Sequence, residues 1–134
     1  MASGFSTAKR NAILTAEFKT ASPFGALCNA DPGDAGDMVG QEVAALYAYA
    51  RTAVVFVTDA VAGSIANTTA LAFPVNTAGG DWGIITHLAI VTAAVEGVDD
   101  MVASGSLTVS KTIGVGDQLT FAIGAIVATL AAQA

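Results

Sequence analysis

The chain has 134 residues, of which 54% are hydrophobic and only 12% charged, with a net charge of −6. That length suits one domain with a real core and leaves no room for a second independent activity. Five scattered cations exclude nucleic-acid binding by phosphate neutralisation, and no run of about 20 apolar residues is free of charged or polar breaks, which excludes a spanning helix.

A small soluble monomer carries about 25–35% charged residues on its surface, so part of this surface is expected to meet protein rather than water. The N-terminal apolar stretch around Ile13 and Leu14 is cut short by Glu17 and Lys19, which is not the pattern of an export signal. The single cysteine, Cys28, excludes an intrachain disulfide framework and is expected to be a small buried side chain.

In chain order, Ser6 to Thr20 is the one good helix candidate, with Ser6 as N-cap and an apolar stripe of Ile13, Leu14, Phe18 and Ala21. Pro23 should stop it. Phe24 to Asn29 is expected to form a first strand, followed by the Gly- and Asp-rich loop ADPGDAGDMVGQ. The run Val43 to Val57 mixes helix-favouring alanines with β-branched residues, and its second half, Arg51 to Val57, is read as strand.

From Ile65 onward short β-rich runs alternate with turn signals. Gly83 to Val91 reads as a strand, with Trp82 at its entrance. SLTVSKTI, GVGD and QLTFAI read as a hairpin whose Leu107, Val109 and Ile113, then Leu119, Phe121 and Ile123, point inward. A last strand is expected over Ile126 to Leu130. The fold class is therefore mainly β, an antiparallel β-sandwich with a short N-terminal helix, divided into a helical arm over 1–22 and a β-sandwich domain over 23–134.

Sites for chemistry are sparse. His87, the one histidine, lies six residues beyond Asp81, too far along an extended strand for the two to pair. No GxSxG elbow surrounds any serine. The loop DPGDAGDMVGQE has carboxylates at Asp31, Asp34 and Asp37, but Gly33 and Ala35 stand where a calcium loop needs oxygen ligands, so a solvated turn is the simpler reading. A zinc site is excluded for want of a second His or Cys, and phosphate-binding Gly-rich motifs lack their helix or lysine. No catalytic, cofactor or metal residues are assigned.

An ordered set of short motifs remains: Asp31 to Gly36, Glu42 with Val43, Tyr49 to Arg51, Asn67 and Thr68 with Phe73 and Pro74, Asp81 to His87, Gly105 to Lys111 and Gly116 to Phe121. In this order the set resembles a family of small virion structural proteins of tailed bacteriophages, tail-fibre-like or capsid-decorating. It departs from the family in a shorter first strand, FGALCNA, and a more acidic insert, VDDMVAS. The resemblance implies a non-enzymatic virion component, similar in size and strand pattern to jelly-roll cement proteins, and brings no catalytic residues.

No repeat of about 20–50 residues and no long heptad seam is visible, which counts against a fibre shaft. On that resemblance, with the short length, the absence of a fibre repeat, the low charge density and the acidic balance, the first expectation is a capsid decoration protein on the capsid exterior. Its partners would be the major capsid protein and copies of itself, with no nucleic acid, membrane or cofactor. Phe5, Phe18 and Phe24, with the apolar C-terminal tail, are the candidate contacts. The alternative is a tail-fibre or receptor-binding component, contacting its target through loops such as Ala30 to Gln41 and Asn76 to Asp81. A small hydrolase using His87 is the weakest reading.

Overall fold

The computed structural model describes residues 4–36, 38, 40–77, 79–96 and 100–131. Among them are one α-helix, α1 (Thr7–Leu14), and eight strands: β1 (Phe24–Cys28), β2 (Thr52–Ala53), β3 (Ser64–Ala66), β4 (Leu71–Ala72), β5 (Ile84–Val91), β6 (Met101–Thr112), β7 (Thr120–Phe121) and β8 (Val127–Thr129). The protein is mainly β, and its four-stranded sheet is antiparallel. The chain forms two compact units, one from the described residues of 1–23, 54–71 and 121–134, the other from those of 24–53 and 72–120.

In the first unit Ser6 caps α1 by accepting the Lys9 N–H at 3.3 Å. The helix then widens into a π-helical turn, Thr15–Thr20, closed by the Ala21 N–H donating five residues back to Ala16 O. Arg10, Leu14 and Phe18, four residues apart, form the buried face. The expected stripe is thus corrected: Ala21 is exposed and Ile13 only half-buried, while Arg10 turns inward. Arg10 can do so because its guanidinium donates to Leu130 O at 3.0 Å and Thr7 Oγ1 at 2.9 Å. Asn11 Oδ1 and Thr15 Oγ1 accept the N–H groups of Gly63 and Ala60, and Phe18 meets Phe56 edge-on at 5.3 Å. Lys19 pairs with Asp59 on the surface.

β3 pairs with β8, and Asn67, just after β3, secures the returning chain. Its main-chain N–H donates to Ile126 O, its carbonyl accepts from Gly124, and its Oδ1 accepts the Ile126 N–H at 2.9 Å. Its Nδ2 donates to Thr69 O and Ala122 O. One fully buried amide thus acts as an extra stretch of backbone where no strand continues.

The second unit is built on a sheet of order β2-β1-β5-β6. β5 pairs with β1 from Cys28↔His87 to Phe24↔Val91, and with β6 from Ile84↔Thr112 to Val91↔Met101. Ala26, Cys28, Ala89, Val91 and Met38, with Phe24 and Met101 alongside, form a core cluster. β2 covers only Phe24 and Gly25 of β1. Beyond that point the neighbouring loop serves as a surrogate strand: Leu27 O accepts from Val43 N–H, the Leu27 N–H donates to Tyr49 Oη, and the Asn29 N–H donates to Gln41 O.

Three expectations are corrected. The strand expected over Arg51 to Val57 is only Thr52–Ala53, because the segment from Glu42 curls back on itself, with Tyr47 and Ala48 in the left-handed region at φ 55 and 67°. The hairpin expected from GVGD does not form: β6 pairs with β5, and β7 pairs with β4. Asn76 intervenes in that turn, its carbonyl accepting the Gly116 N–H and its own N–H donating to Asp117 O, so the chain leaves alongside Phe73, whose N–H donates to Leu119 O. Ile113 and Leu119 are buried as expected, but Val109 and Ile123 are exposed.

Replacing Asn67 with Ala would leave the buried Ile126 N–H without its acceptor and two carbonyls without a donor. We expect a loss of about 2–4 kcal/mol in stability, read by urea denaturation; a loss under about 1 kcal/mol would show that water replaces the amide.

Candidate functional site

The densest polar constellation lies inside the second unit. Arg51, its side chain fully buried, makes a two-pronged bond to Glu42, Nε to Oε2 and Nη2 to Oε1, both 2.8 Å. Its Nη1 donates to Asp100 Oδ1 at 3.0 Å and to Ala93 O at 2.9 Å. Tyr49 Oη donates to Glu42 Oε2 at 3.0 Å while accepting the Leu27 N–H. Asp100 Oδ2 in turn accepts from Thr92 Oγ1 and from the Ala93 N–H. The cluster ties the loop beside β1, the end of β5 and the start of β6 into one knot.

Burial alone would push the Arg51 guanidinium down, but the hydrogen bonds and charge of Glu42, with the charge of Asp100, carry it above its ordinary value, so it stays protonated. Burial, then the Glu42 charge, pushes the Tyr49 phenol far up. The Cys28 thiol is pushed up to about 12, first by burial and then by Glu42, with Arg51 partly offsetting both. The arrangement therefore favours a protonated cysteine and tyrosine, neither suited to attack a substrate. Its chemistry is that of a fastener.

Elsewhere the candidate groups stand apart. His87 is half-buried on β5 with Nδ1 2.9 Å from Thr86 Oγ1, and among the described residues no carboxylate pairs with it. Asp81 instead lies against Gly114, where an added Cβ would sit 3.1 Å from Asp81 Oδ1. Trp82 is buried at the entrance to β5, its Nε1 donating to Tyr47 O at 3.0 Å. In the acidic loop Asp31 Oδ1 accepts the Gly33 N–H at 2.8 Å, a local turn, and Asp34 is exposed; Asp37 lies outside the described residues. Among the described residues no group of three or more metal-ligating side chains gathers.

Of the three contact candidates, Phe5 is 54% exposed, Phe18 is 4% exposed with its ring on Phe56, and Phe24 is half-buried against the Ala26 and Val91 cluster. Phe5 and Phe18 fall in the first unit and Phe24 in the second. Sequence reasoning missed the Arg51, Glu42 and Asp100 cluster. Glu42 and Arg51 were visible as motif residues, nine apart, but Asp100 looked like surplus charge in an acidic insert, and nothing local signals that the three meet.

The second unit is thus a β framework fastened by a buried, hydrogen-bonded charge cluster. The family model of Podophage GP4 fiber I protein gp80 matches residues 4–129, and the chain belongs to that family. No curated protein matches the chain.

Arg51→Met would leave two buried carboxylates without their counter-charge, with an expected cost of about 3–5 kcal/mol in chemical denaturation. An unchanged midpoint would remove the cluster from its central place. A second check uses Cys28 and Tyr49, whose native pKa values are raised. Their contribution is fully present below about pH 9 and is lost as pH climbs toward about 12, so thermal stability should fall across that alkaline window. Iodoacetamide at pH 8 should leave native Cys28 unmodified and label it in urea.

Proposed function

We propose that the protein is a multi-copy surface component of the phage particle, acting mechanically through protein–protein contacts and first of all as part of a fibre. The observation that carries this reading is the match of a family described as a fibre protein to residues 4–129, nearly the whole chain. The surface supports it: thirteen large hydrophobic side chains are exposed among the described residues, on a chain with 12% charge. Interface cores are depleted of charge in this way. A short chain without internal repeats suits a subunit that several copies build up, with copies of itself as partners.

Capsid decoration is the second reading. The acidic balance suits the outside of a shell, and exposed apolar side chains such as Val57, Val61 and Ile123 fit contacts bridging subunits of a major capsid protein on the capsid exterior. In either setting Phe5 is the contact residue of choice among the three phenylalanines, since its ring is free to be covered. Phe18 and Phe24 act behind it by shaping their own units.

Quantitative mass spectrometry of purified virions, with immunogold labelling, separates the two. A few copies to a few dozen per particle, labelled at an appendage, supports the fibre; a number of the order of the capsid subunit, labelled over the head, overturns it in favour of decoration. Phe5→Ser should reduce incorporation into particles severalfold while changing stability by less than about 0.5 kcal/mol, as is usual for surface substitutions.

A further inference from the structure

The first unit carries a sheet-like layer wider than its paired strands. Successive N–H groups along 64–68 point to opposite sides, Asn67 donating to Ile126 O and Thr68 to Val55 O. The stretch 54–57 therefore flanks β3 and its continuation on one side, and 124–129 flanks it on the other, with Ala66 opposite Val127. Side chains alternate across this layer. Val54, Phe56, Ile65 and Asn67 are buried, and Phe56 meets Phe18 of the π-helical turn. Val55, Val57 and Val127 stand on the opposite face, 40, 61 and 57% exposed, with Ala66 among them.

Two features set this outer face apart from a surface built for water. Its hydroxyls already have partners within the face: Ser64 Oγ meets Thr129 Oγ1 at 3.3 Å, and Thr68 Oγ1 accepts the Val57 N–H at 3.0 Å and donates to Val55 O at 3.2 Å. Covering the face strands none of them. The face is also uncharged: residues 60–71 and 121–134 contain no charged side chain, and Asp59 is engaged by Lys19. Charge is segregated between the units in the same sense. The second unit holds nine of the eleven carboxylates and two of the five cations, net −7, and the first holds the other two carboxylates and three cations, net +1. Copies of this acidic chain therefore repel one another through their second units and not through their first. An uncharged face is complemented by another uncharged face, and this one, built of small and β-branched residues, meets its match in the same face of a second copy.

We propose that this face is a contact between two copies of the chain, packed face to face as the layers of an intermolecular sandwich about a twofold axis. It names the surface for the multi-copy reading, on which it rests, and holds for a fibre and a shell alike. Stretches of about five residues set roughly 5 Å apart make a face well short of the ~800 Å² per partner of a standard interface. The contact is therefore weak between free molecules and persistent where a particle holds many copies together.

The test is sedimentation equilibrium of the full-length protein up to about 1 mM, the range of weak but specific contacts. The protein should dimerise as its concentration rises. Val57→Lys with Val127→Lys places charge inside the contact and should weaken dimerisation about tenfold or more. Ile84→Lys with Val109→Lys, at exposed apolar positions of the second unit, adds the same charge and should leave it within about twofold, as is usual for surface substitutions. Val57→Thr with Val127→Thr keeps β-branched side chains, adds no charge and should weaken it severalfold, so a folding defect in the lysine pair does not decide the matter. A monomer at every concentration, or equal loss from both lysine pairs, would overturn the proposal. So would loss of particle incorporation by the threonine pair in a protein that stays monomeric, which would assign the face to a different virion protein. Dimerisation is read without the particle and copy number without the dimer, so the multi-copy reading and this contact fail independently.

Discussion

The buried charge of Arg51 is the constraint on which the second unit depends. A guanidinium out of water must meet anions with good geometry, and here the anions come from the loop before it and from the start of β6, while a carbonyl comes from just beyond β5. Bringing Glu42 to Arg51 forces the intervening segment into a compact curl. That curl then sets Val43 and Tyr49 against β1, where they take up backbone groups of Leu27 that β2 is too short to reach. An ion cluster that by area bookkeeping contributes little net stability can still fix which segments meet.

Asparagine does related work where charge is absent. Asn67 and Asn76, both fully buried, sit at chain reversals and use side-chain and main-chain groups together to hold the returning segment. A short chain with many brief strands has many reversals and few ladder bonds, so amides stand in for missing backbone. This explains why a chain with so few charged side chains buries asparagines at these reversals.

Much of the fold was legible. Ser6 as a cap, the strands expected over Phe24 to Asn29 and Gly83 to Val91 and observed as Phe24–Cys28 and Ile84–Val91, and Trp82 at the entrance of β5 were legible, because capping and alternation are properties of neighbouring residues. The failures were non-local. GVGD carries every signal of a hairpin, yet its outcome turns on Asn76, about forty residues earlier, binding Gly116 and Asp117. Arg51 to Val57 is β-rich but is held by an ion pair whose partners no periodicity reveals. The knot itself was legible only as disconnected motifs, and the helix stripe placed Leu14 and Phe18 inward but gave no sign that Arg10 would join them.

Where the charges lie also bears on the medium the particle can tolerate. Dissolved salt weakens ion pairs it can surround, over a screening length of about 8–10 Å at moderate ionic strength. Lys19 and Asp59 are open to that screening, but Arg51 with Glu42 and Asp100 is closed off from it by burial. The pairing that organises the second unit is thus far less open to the surrounding electrolyte than the pair at the surface, and that unit should keep its internal order across a wide range of salt concentration.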